Sequence, residues 1–207
     1  MTTDRRKFTR EGAEVRKEAL IQATLDLVAE KGVAGATVRA ISDRAAVTQG
    51  LVRHYFHSKE ALIQAAFAYH MRSLTDLAEA SGGGVDAKAR LAGFLRASLE
   101  PPVVEPRALA LWSGFMSRVP AEPEMRQIHA ESYVYFRDKL EGLIAAALRE
   151  AGRDPSTAEL RRLAIACNAV ADGLWLEGGA LPDAFATGEL AEIGLEAVGR
   201  LLDLPLQ

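Results

Sequence analysis

Apolar residues along this chain recur with the period of an α-helix. Ile21, Leu25 and Val28 show the spacing of four and three residues that places side chains on one helix face. No segment alternates apolar β-branched residues with polar ones as a half-buried strand does. The pattern therefore predicts an all-α protein of about nine helices.

Capping residues and prolines divide this pattern into separate helices. Thr37, Thr48 and Ser58 are of the types that cap helix N-termini, and Pro106 and Pro123 stand where a first helical residue is expected. The predicted helices cover residues 14–31, 37–45, 48–55, 58–80, 86–99, 106–118, 123–151, 157–178 and 188–203.

Glycines mark two breaks in the pattern. Gly32 is expected to end the first helix in a left-handed conformation, followed by an apolar contact from Val33. Gly82, Gly83 and Gly84 are the best candidate for a linker between two halves of the chain. Because this linker is short, we expect the two halves to pack together.

The segment from Thr37 to Leu62 has the pattern of a helix-turn-helix. Two short predicted helices are joined by a tight turn at Ala46-Val47. The second is roughly 12 Å long, close to the width of the DNA major groove. A small core is expected to fix the angle between the helices, formed by Val38, Ile41, Ala45, Val47, Leu51 and Val52.

The opposite side of the second helix carries groups that suit DNA. Gln49 and Arg53 can hydrogen-bond adenine and guanine, and Gly50 lets the backbone approach the duplex. His54 lies on the same predicted side, where it is either a DNA contact or simply an exposed imidazole. Since helix-turn-helix geometry also occurs in folds that never bind DNA, the pattern alone leaves both interpretations open.

Positive charge accompanies this segment. Residues 1–60 hold 11 Lys and Arg against 8 Asp and Glu, whereas the whole chain has a net charge of −3. Arg39 and Lys59 stand in first helical turns, where the helix dipole disfavours a cation unless a DNA phosphate binds there. The hydroxyl groups of Thr37, Thr48 and Tyr55 are further candidate donors to phosphate.

A basic segment precedes the first predicted helix. Arg5-Arg6-Lys7, with Arg10, could follow the DNA backbone or enter the minor groove. The alternative is a solvated arm without a specific role.

Composition narrows the class of protein. The 207 residues are 49% hydrophobic and 26% charged, which excludes a mainly disordered chain, and a lone cysteine, Cys167, excludes an intrachain disulfide. Residues 1–8 lack the apolar core of a secretory signal, and no apolar run approaches the ~18 residues that span a bilayer. We therefore expect a cytoplasmic protein without a membrane partner.

Two other classes of function are weighed against DNA binding. An enzyme is disfavoured because the chain lacks a nucleophile elbow, a Walker A loop and zinc-spaced Cys or His pairs. His54 and His57 form only a weak metal pair without a third ligand, so no catalytic residue, metal or cofactor is expected. A pure protein-interaction module remains open, and it predicts no salt-dependent affinity for DNA.

Residues 14–62 resemble the DNA-binding domain of the TetR family of bacterial transcriptional regulators. The matching segments are GVAGATVRAI from Gly32, AAVTQGLVRHYF from Ala45 and SKEAL from Ser58. The resemblance implies a helix-turn-helix domain over residues 1–57, with a flexible basic arm over 1–13, and a helical effector-binding and dimerisation domain over 58–207. It places the DNA contacts at Arg39, Gln49, Gly50, Arg53, His54, Tyr55 and Lys59. Ala46 departs from the glycine that the family commonly has, at a cost of order 1 kcal/mol if the residue is left-handed.

The chain from about residue 86 to 185 resembles the BetI-type, choline-responsive branch of that family. The matching segments are PRALALWSGF from Pro106 and DGLWLEG from Asp172. Aromatic residues near a carboxylate suit a quaternary ammonium or another cationic effector. The candidate pocket residues are Trp112, Phe115, Met116, Tyr133, Asn168, Asp172 and Trp175. The alternative, which we rank first at this point, is that these aromatics are core and that Asp172 caps or pairs at an interface.

Two apolar stripes near the C-terminus predict a homodimer. The resemblance implies a four-helix interface across a twofold axis, and the stripes would supply it. The candidate interface residues are Leu160, Leu163, Cys167, Leu174, Leu190, Ile193, Ala197 and Leu201. The alternative is that both stripes are buried inside one subunit. The sequence thus predicts a dimeric repressor of a near-palindromic operator, released by a small-molecule inducer.

Overall fold

The computed structural model describes the backbone of residues 2–207 and the side chains of residues 12–207. This part of the chain forms nine α-helices and no strand, which confirms the all-α prediction. No described helix is both long enough and apolar enough to cross a membrane. The helices are α1 (Thr2–Gly35), α2 (Val38–Arg44), α3 (Gln49–Phe56), α4 (Lys59–Ser81), α5 (Ala87–Ser98), α6 (Pro106–Met116), α7 (Pro123–Glu150), α8 (Thr157–Ala180) and α9 (Glu189–Leu202).

The chain divides into two compact units. The first comprises Met1–His70 and Ala110–Ile128, and the second comprises Met71–Leu109 and His129–Gln207. The boundary predicted at residues 57 and 58 falls inside the first unit. Gly82, Gly83 and Gly84 fall inside the second unit, so this segment is not the division between the units.

The N-terminus of α1 differs from the prediction. The helix begins at Thr2 rather than near Glu14, so helical backbone replaces the predicted arm. The sequence before Glu14 has no apolar periodicity but also no proline, and nothing in it stops a helix. The basic side chains of Arg5, Arg6, Lys7 and Arg10 lie outside the described residues. Gly32 has the expected positive φ of 68°, although its ψ of 174° is extended rather than left-handed helical.

The helix-turn-helix is held by a small core and by ion pairs of Arg44 with Glu30 and Asp26. Ile41 of α2 and Val52 of α3 are 0% and 2% exposed, as the pattern predicted. Arg44 at the end of α2 forms a bidentate pair with Glu30 of α1, with Nη1–Oε1 and Nη2–Oε2 distances of 2.9 and 2.8 Å. Because α2 is anchored to α1 and α3 to α2, the orientation of α3 within this unit is fixed.

The glycines at the end of α4 allow close packing. A Cβ added to Gly82 would lie 2.8 Å from the backbone nitrogen of Phe94, and one added to Gly84 would lie 2.6 Å from the carbonyl carbon of Ala89. Real Cβ atoms essentially never approach so closely, so glycine is required here for contact with α5. The segment predicted as a linker is therefore a tight packing site.

The second unit has a core built from α5, α7, α8 and α9. Cys167 of α8 is 0% exposed within this core, and Leu190 of α9 is also buried. Both were predicted at the dimer interface; that prediction is wrong for Cys167, which retains no surface for a partner, and Leu190 keeps only 8% of its surface. Leu160 and Leu163 pack against the same core. The α8 stripe is thus largely used inside the subunit, as the alternative held for both stripes, whereas Ile193 and Leu201 of the α9 stripe stay exposed.

The turn between α2 and α3 contains a strained alanine. Ala46 has a φ of 53°, a left-handed conformation that favours glycine. Its amide donates to the carbonyl of Asp43, and the amide of Val47 donates to the carbonyl of Ser42. The turn therefore keeps its geometry at the expense of backbone strain.

We expect Ala46→Gly to raise the free energy of unfolding by up to about 1 kcal/mol, because relief of the left-handed alanine outweighs the greater entropy of glycine in the unfolded chain. Urea denaturation measures the change. Ala45→Gly is the matched control, since Ala45 has an ordinary φ of −79° and should lose about 0.5–1 kcal/mol. A destabilised Ala46→Gly variant would contradict the strain.

Candidate DNA-binding surface and effector site

The structure exposes the predicted reading side of α3. Gln49, Gly50, Arg53 and His54 are all exposed, and the helix is anchored from behind by Val52 and Phe56. Residues 52 and 56 are one turn apart and define a buried face, with Gly50 and His54 opposite it, Arg53 at its flank and Gln49 exposed in the first turn. The helix offers its side chains to solvent, as reading base edges requires.

Three helix N-termini surround this surface. The hydroxyl of Thr37 accepts a hydrogen bond from the amide of Ala40 at 3.2 Å, and that of Ser58 accepts from the amide of Ala61 at 3.0 Å, so both cap their helices as predicted. Thr48 precedes α3 in an extended conformation, but its side chain makes no capping hydrogen bond. Its exposed hydroxyl remains available to an outside acceptor.

The two cations predicted in first helical turns occupy those positions. Arg39 is the second residue of α2 and is highly exposed, with its Nε 3.8 Å from Asp43. Lys59 is the first residue of α4 and is half-buried. Tyr55, also half-buried, packs edge-on against the ring of His54 at a centroid distance of 5.0 Å. Arg39 and Lys59 thus lie at helix N-termini, whose free amides attract anions, whereas Tyr55 lies in the last turn of α3.

A groove of about 330 Å³ opens on the same side of the first unit. Its lining includes Gln49, Gly50, Arg53, His57, Ser58 and Lys59. All six lie in the segment from Thr37 to Leu62, and they come from α3, from the turn that follows it and from the start of α4. His57 received no DNA-binding role from the sequence, because its place in the groove depends on the turn between these helices.

The predicted effector residues divide between the units. Trp112, Phe115 and Met116 belong to the first unit, and Tyr133, Asn168, Asp172 and Trp175 belong to the second. Phe115 is 0% exposed and stacks on Phe67 with a centroid distance of 4.8 Å. It is a core residue, so its predicted place in a pocket wall is wrong. Trp112 and Met116 are half-buried.

Asp172 stands at the centre of a half-buried polar cluster in the second unit. Its Oδ2 accepts a hydrogen bond from Asn168 Nδ2 at 2.9 Å, and it also accepts one from the hydroxyl of Tyr133. Burial raises the pKa of Asp172, and these two hydrogen bonds oppose the rise by favouring the carboxylate. The structure thus brings together three of the predicted residues.

Burial shifts the pKa values of Tyr133 and of the neighbouring His129. Burial, together with the charge and hydrogen bond of Asp172, raises the pKa of Tyr133 to about 12. The ring of Tyr133 packs on that of His129 with a centroid distance of 4.6 Å, and burial lowers the pKa of His129. Desolvation at this point strengthens the electrostatic effect of any charge that enters.

Trp175 is held by a hydrogen bond to the backbone rather than facing an open pocket. Its Nε1 donates a hydrogen bond to the carbonyl of Val103 at 2.8 Å, and the side chain is half-buried. This contact fixes α8 to the segment before α6, which favours the structural interpretation of this tryptophan.

A helix-turn-helix with an exposed reading helix, joined to a second helical unit, defines a DNA-binding regulator. Comparison with known families agrees. Residues 20–66 match the family of bacterial regulatory proteins of tetR type, and residues 87–203 match the C-terminal domain of BetI-type transcriptional repressors.

Known proteins similar to this chain are transcriptional regulators. The HTH-type transcriptional regulator BetI of Paraburkholderia phymatum is 29% identical over 191 residues, which cover 91% of this chain and 94% of that protein. A regulator of Pseudomonas aeruginosa is 30% identical, with a TM-score of 0.77, over 92% of this chain and 89% of its own. A regulator of Saccharomonospora viridis solved with choline is 16% identical, with a TM-score of 0.72, over 88% and 94% of the two chains.

The chain therefore belongs to the TetR family of transcriptional regulators, with a C-terminal domain of the BetI type. It is a DNA-binding transcriptional regulator, and proteins of this family are in general not enzymes.

Proposed function

We propose that this regulator represses transcription as a homodimer that binds a near-palindromic operator and releases it when a small cationic effector binds. Each subunit places α3 in one major groove, and the twofold symmetry of the dimer sets the spacing of the half-sites. The exposed polar side of α3 is the observation that carries this proposal. Since bacterial DNA lies in the cytoplasm, we also propose that the protein works there, and that it does so without catalysis.

Gly50 supports a close approach of DNA to α3. A Cβ added to this residue would meet only Thr48 Oγ1 at 3.9 Å, which is an ordinary contact. Nothing around it within the described part of the subunit therefore requires glycine, although glycine costs about 1 kcal/mol in a helix. A DNA backbone that approaches α3 closely would leave no room for a Cβ, and this explains why residue 50 is glycine.

The side chains around Gly50 divide into two roles. Gln49 and Arg53 stand on the exposed side of α3, so we assign them to base edges, with His54 beside them. Arg39 and Lys59 stand at helix starts and, with the hydroxyls of Thr37, Thr48 and Tyr55, are assigned to phosphates. Phosphate contacts position the protein, whereas base contacts select the sequence.

The dimer interface that we propose uses the apolar surface left exposed on α8 and α9. Ile193 and Leu201 of α9 are 41% and 44% exposed, and the half-buried Ala197 lies between them on the same face. Ile165 and Leu176 of α8 are also exposed, and α8 packs against α9. Two adjacent helices with uncovered apolar faces can pair with their copies to form the four-helix interface expected of the family.

The Asp172 cluster is the part of the effector site that we propose within the second unit. A half-buried carboxylate beside the ring of Tyr133 attracts a cation both by charge and by its aromatic neighbour. The raised pKa of Asp172 indicates that its charge is poorly compensated, so an entering cation would stabilise it. The choline-bound structure of the same fold supports a quaternary ammonium as the first ligand to test. Binding of the effector would shift the protein toward a conformation with low operator affinity. The size of the shift depends on how much more tightly the effector binds that conformation than the operator-binding one.

The roles of Arg53 and Lys59 differ in a measurable way. Arg53→Ala should lower operator affinity about tenfold while leaving affinity for random DNA nearly unchanged, because it removes a base contact. Lys59→Ala should weaken both equally and reduce the slope of log K against log salt by about one. Fluorescence anisotropy with the DNA upstream of the gene and with a random duplex measures both. Arg90→Ala on α5 is the control for loss of a cation, and equal effects of Arg53→Ala on both duplexes would contradict the assignment.

Substitution on the exposed face of α9 should disrupt the dimer. Ile193→Glu places a charge in the proposed interface, so we expect monomers at micromolar concentration and weaker operator binding. Val85→Glu is the control, because Val85 is 98% exposed and lies outside both helices. Sedimentation velocity distinguishes the two variants. A wild-type monomer, or a dimeric Ile193→Glu variant, would contradict this interface.

Choline should bind with measurable heat and raise Tm if the effector is a quaternary ammonium. Asp172→Asn should weaken choline binding at least about tenfold, because a desolvated cation loses its counter-charge. Asp154→Asn removes one charge from an exposed carboxylate of the same unit and should leave binding unchanged. Isothermal calorimetry with choline, and with betaine as a second probe, makes the comparison. The absence of heat and of any thermal shift would remove this ligand class.

A further inference from the structure

The turn between α3 and α4 contains a strained histidine. His57 has a φ of 66° and a ψ of −39°, and the amide of Ser58 donates to the carbonyl of Phe56 at 2.8 Å. This bond between residues i and i+2 makes His57 the central residue of a γ-turn with positive φ, the rare and strained type. Glycine adopts such a conformation without a steric penalty, whereas a residue with a Cβ is disfavoured.

Nothing within the described subunit accounts for an imidazole at this position. His57 is exposed, and its side chain makes no hydrogen bond, ion pair or ring contact with residues 12–207. The turn needs the backbone conformation but gains nothing from the side chain. A strained residue that persists without an internal partner points to a function outside the subunit.

The surroundings of His57 identify the kind of partner. It lines the groove of about 330 Å³ together with Arg53 of α3 and Lys59 of α4. Two cations and a ring N–H donor around one groove suit an anion, and the groove lies beside the exposed side of α3. The position immediately before the N-terminus of α4 favours a phosphate rather than a base edge.

We propose that His57 is a further DNA-contacting residue, whose imidazole N–H donates a hydrogen bond to a backbone phosphate that it shares with Lys59, in the groove where Arg53 faces the base edges. This contact rests on the proposed DNA-binding function and adds a residue to it. The strained turn is what directs the ring into the groove, because a residue with negative φ at this point would send its side chain elsewhere. The contact carries no sequence information, so it acts on all DNA alike.

His57→Gly separates this role from a structural one. The substitution relieves the strain and should raise Tm by about 3 °C, yet it should lower affinity about tenfold for both the operator and a random duplex, since a hydrogen bond to a charged acceptor is lost. His57→Asn keeps a side-chain N–H donor and tolerates positive φ, so it should retain most of the affinity. A more stable protein that binds DNA less tightly is the expected signature.

Ala46→Gly is the control, because it relieves a positive φ at the other end of α3 without removing a polar group. It should leave affinity for both duplexes unchanged. His57→Gly with wild-type affinity would overturn the contact, and a loss confined to the operator would overturn its assignment to a phosphate. If the wild-type protein binds neither duplex, the proposed function fails and the contact with it; if the wild type binds and His57→Gly binds equally, only the contact fails.

Discussion

The burial of Ile41, Val52 and Phe56 decides which side of α3 faces outward, and the function follows from that side. Ile41 packs from α2, while Val52 and Phe56 lie one turn apart on α3. With this face anchored, the geometry of a helix leaves Gly50 and His54 on the opposite side and Arg53 at the flank, while Gln49 is exposed in the first turn. A rotation of α3 by half a turn would exchange the reading residues for apolar ones and would expose the core. The same apolar contacts that stabilise the unit therefore also present its polar surface to DNA.

Local features of this fold were predictable because they depend on neighbours in sequence. The caps at Thr37 and Ser58, the helix starts at Pro106 and Pro123 and the left-handed turn at Ala46 are each decided within a few residues. What covers the apolar face of α8 was not predictable. The apolar stripe that includes Cys167 was assigned to a partner subunit, whereas the structure buries it against α5, α7 and α9. The sequence shows that a face is apolar, but only the packing of distant helices shows what covers it.

The candidate sites also divide into residues that the local sequence identifies and residues whose surroundings depend on distant helices. The exposed residues of α3 were found because their period and chemistry coincide in one short segment. Asp172, Asn168 and Tyr133 were named together, but the hydrogen bonds that join them come from two helices, α7 and α8. Phe115 and Trp175 carried the same aromatic signal and proved to have internal partners, Phe67 and the carbonyl of Val103. His57 was named only in a weak metal pair, because the DNA contact that we propose for it depends on a backbone conformation that its residue type disfavours.

Strain at both ends of α3 limits how this regulator can respond to an effector. Ala46 precedes the helix and His57 follows it, and each is held in a conformation that costs about 1 kcal/mol or more. Such joints persist only where the surrounding packing determines them, and here that packing is the core of α2 and α3 with the ion pair between Arg44 and Glu30. A new tilt of α3 within its unit would have to break these contacts together. The helix-turn-helix therefore resists internal rearrangement, and in the dimer that we propose an effector would act on the distance between the two reading helices rather than on either helix.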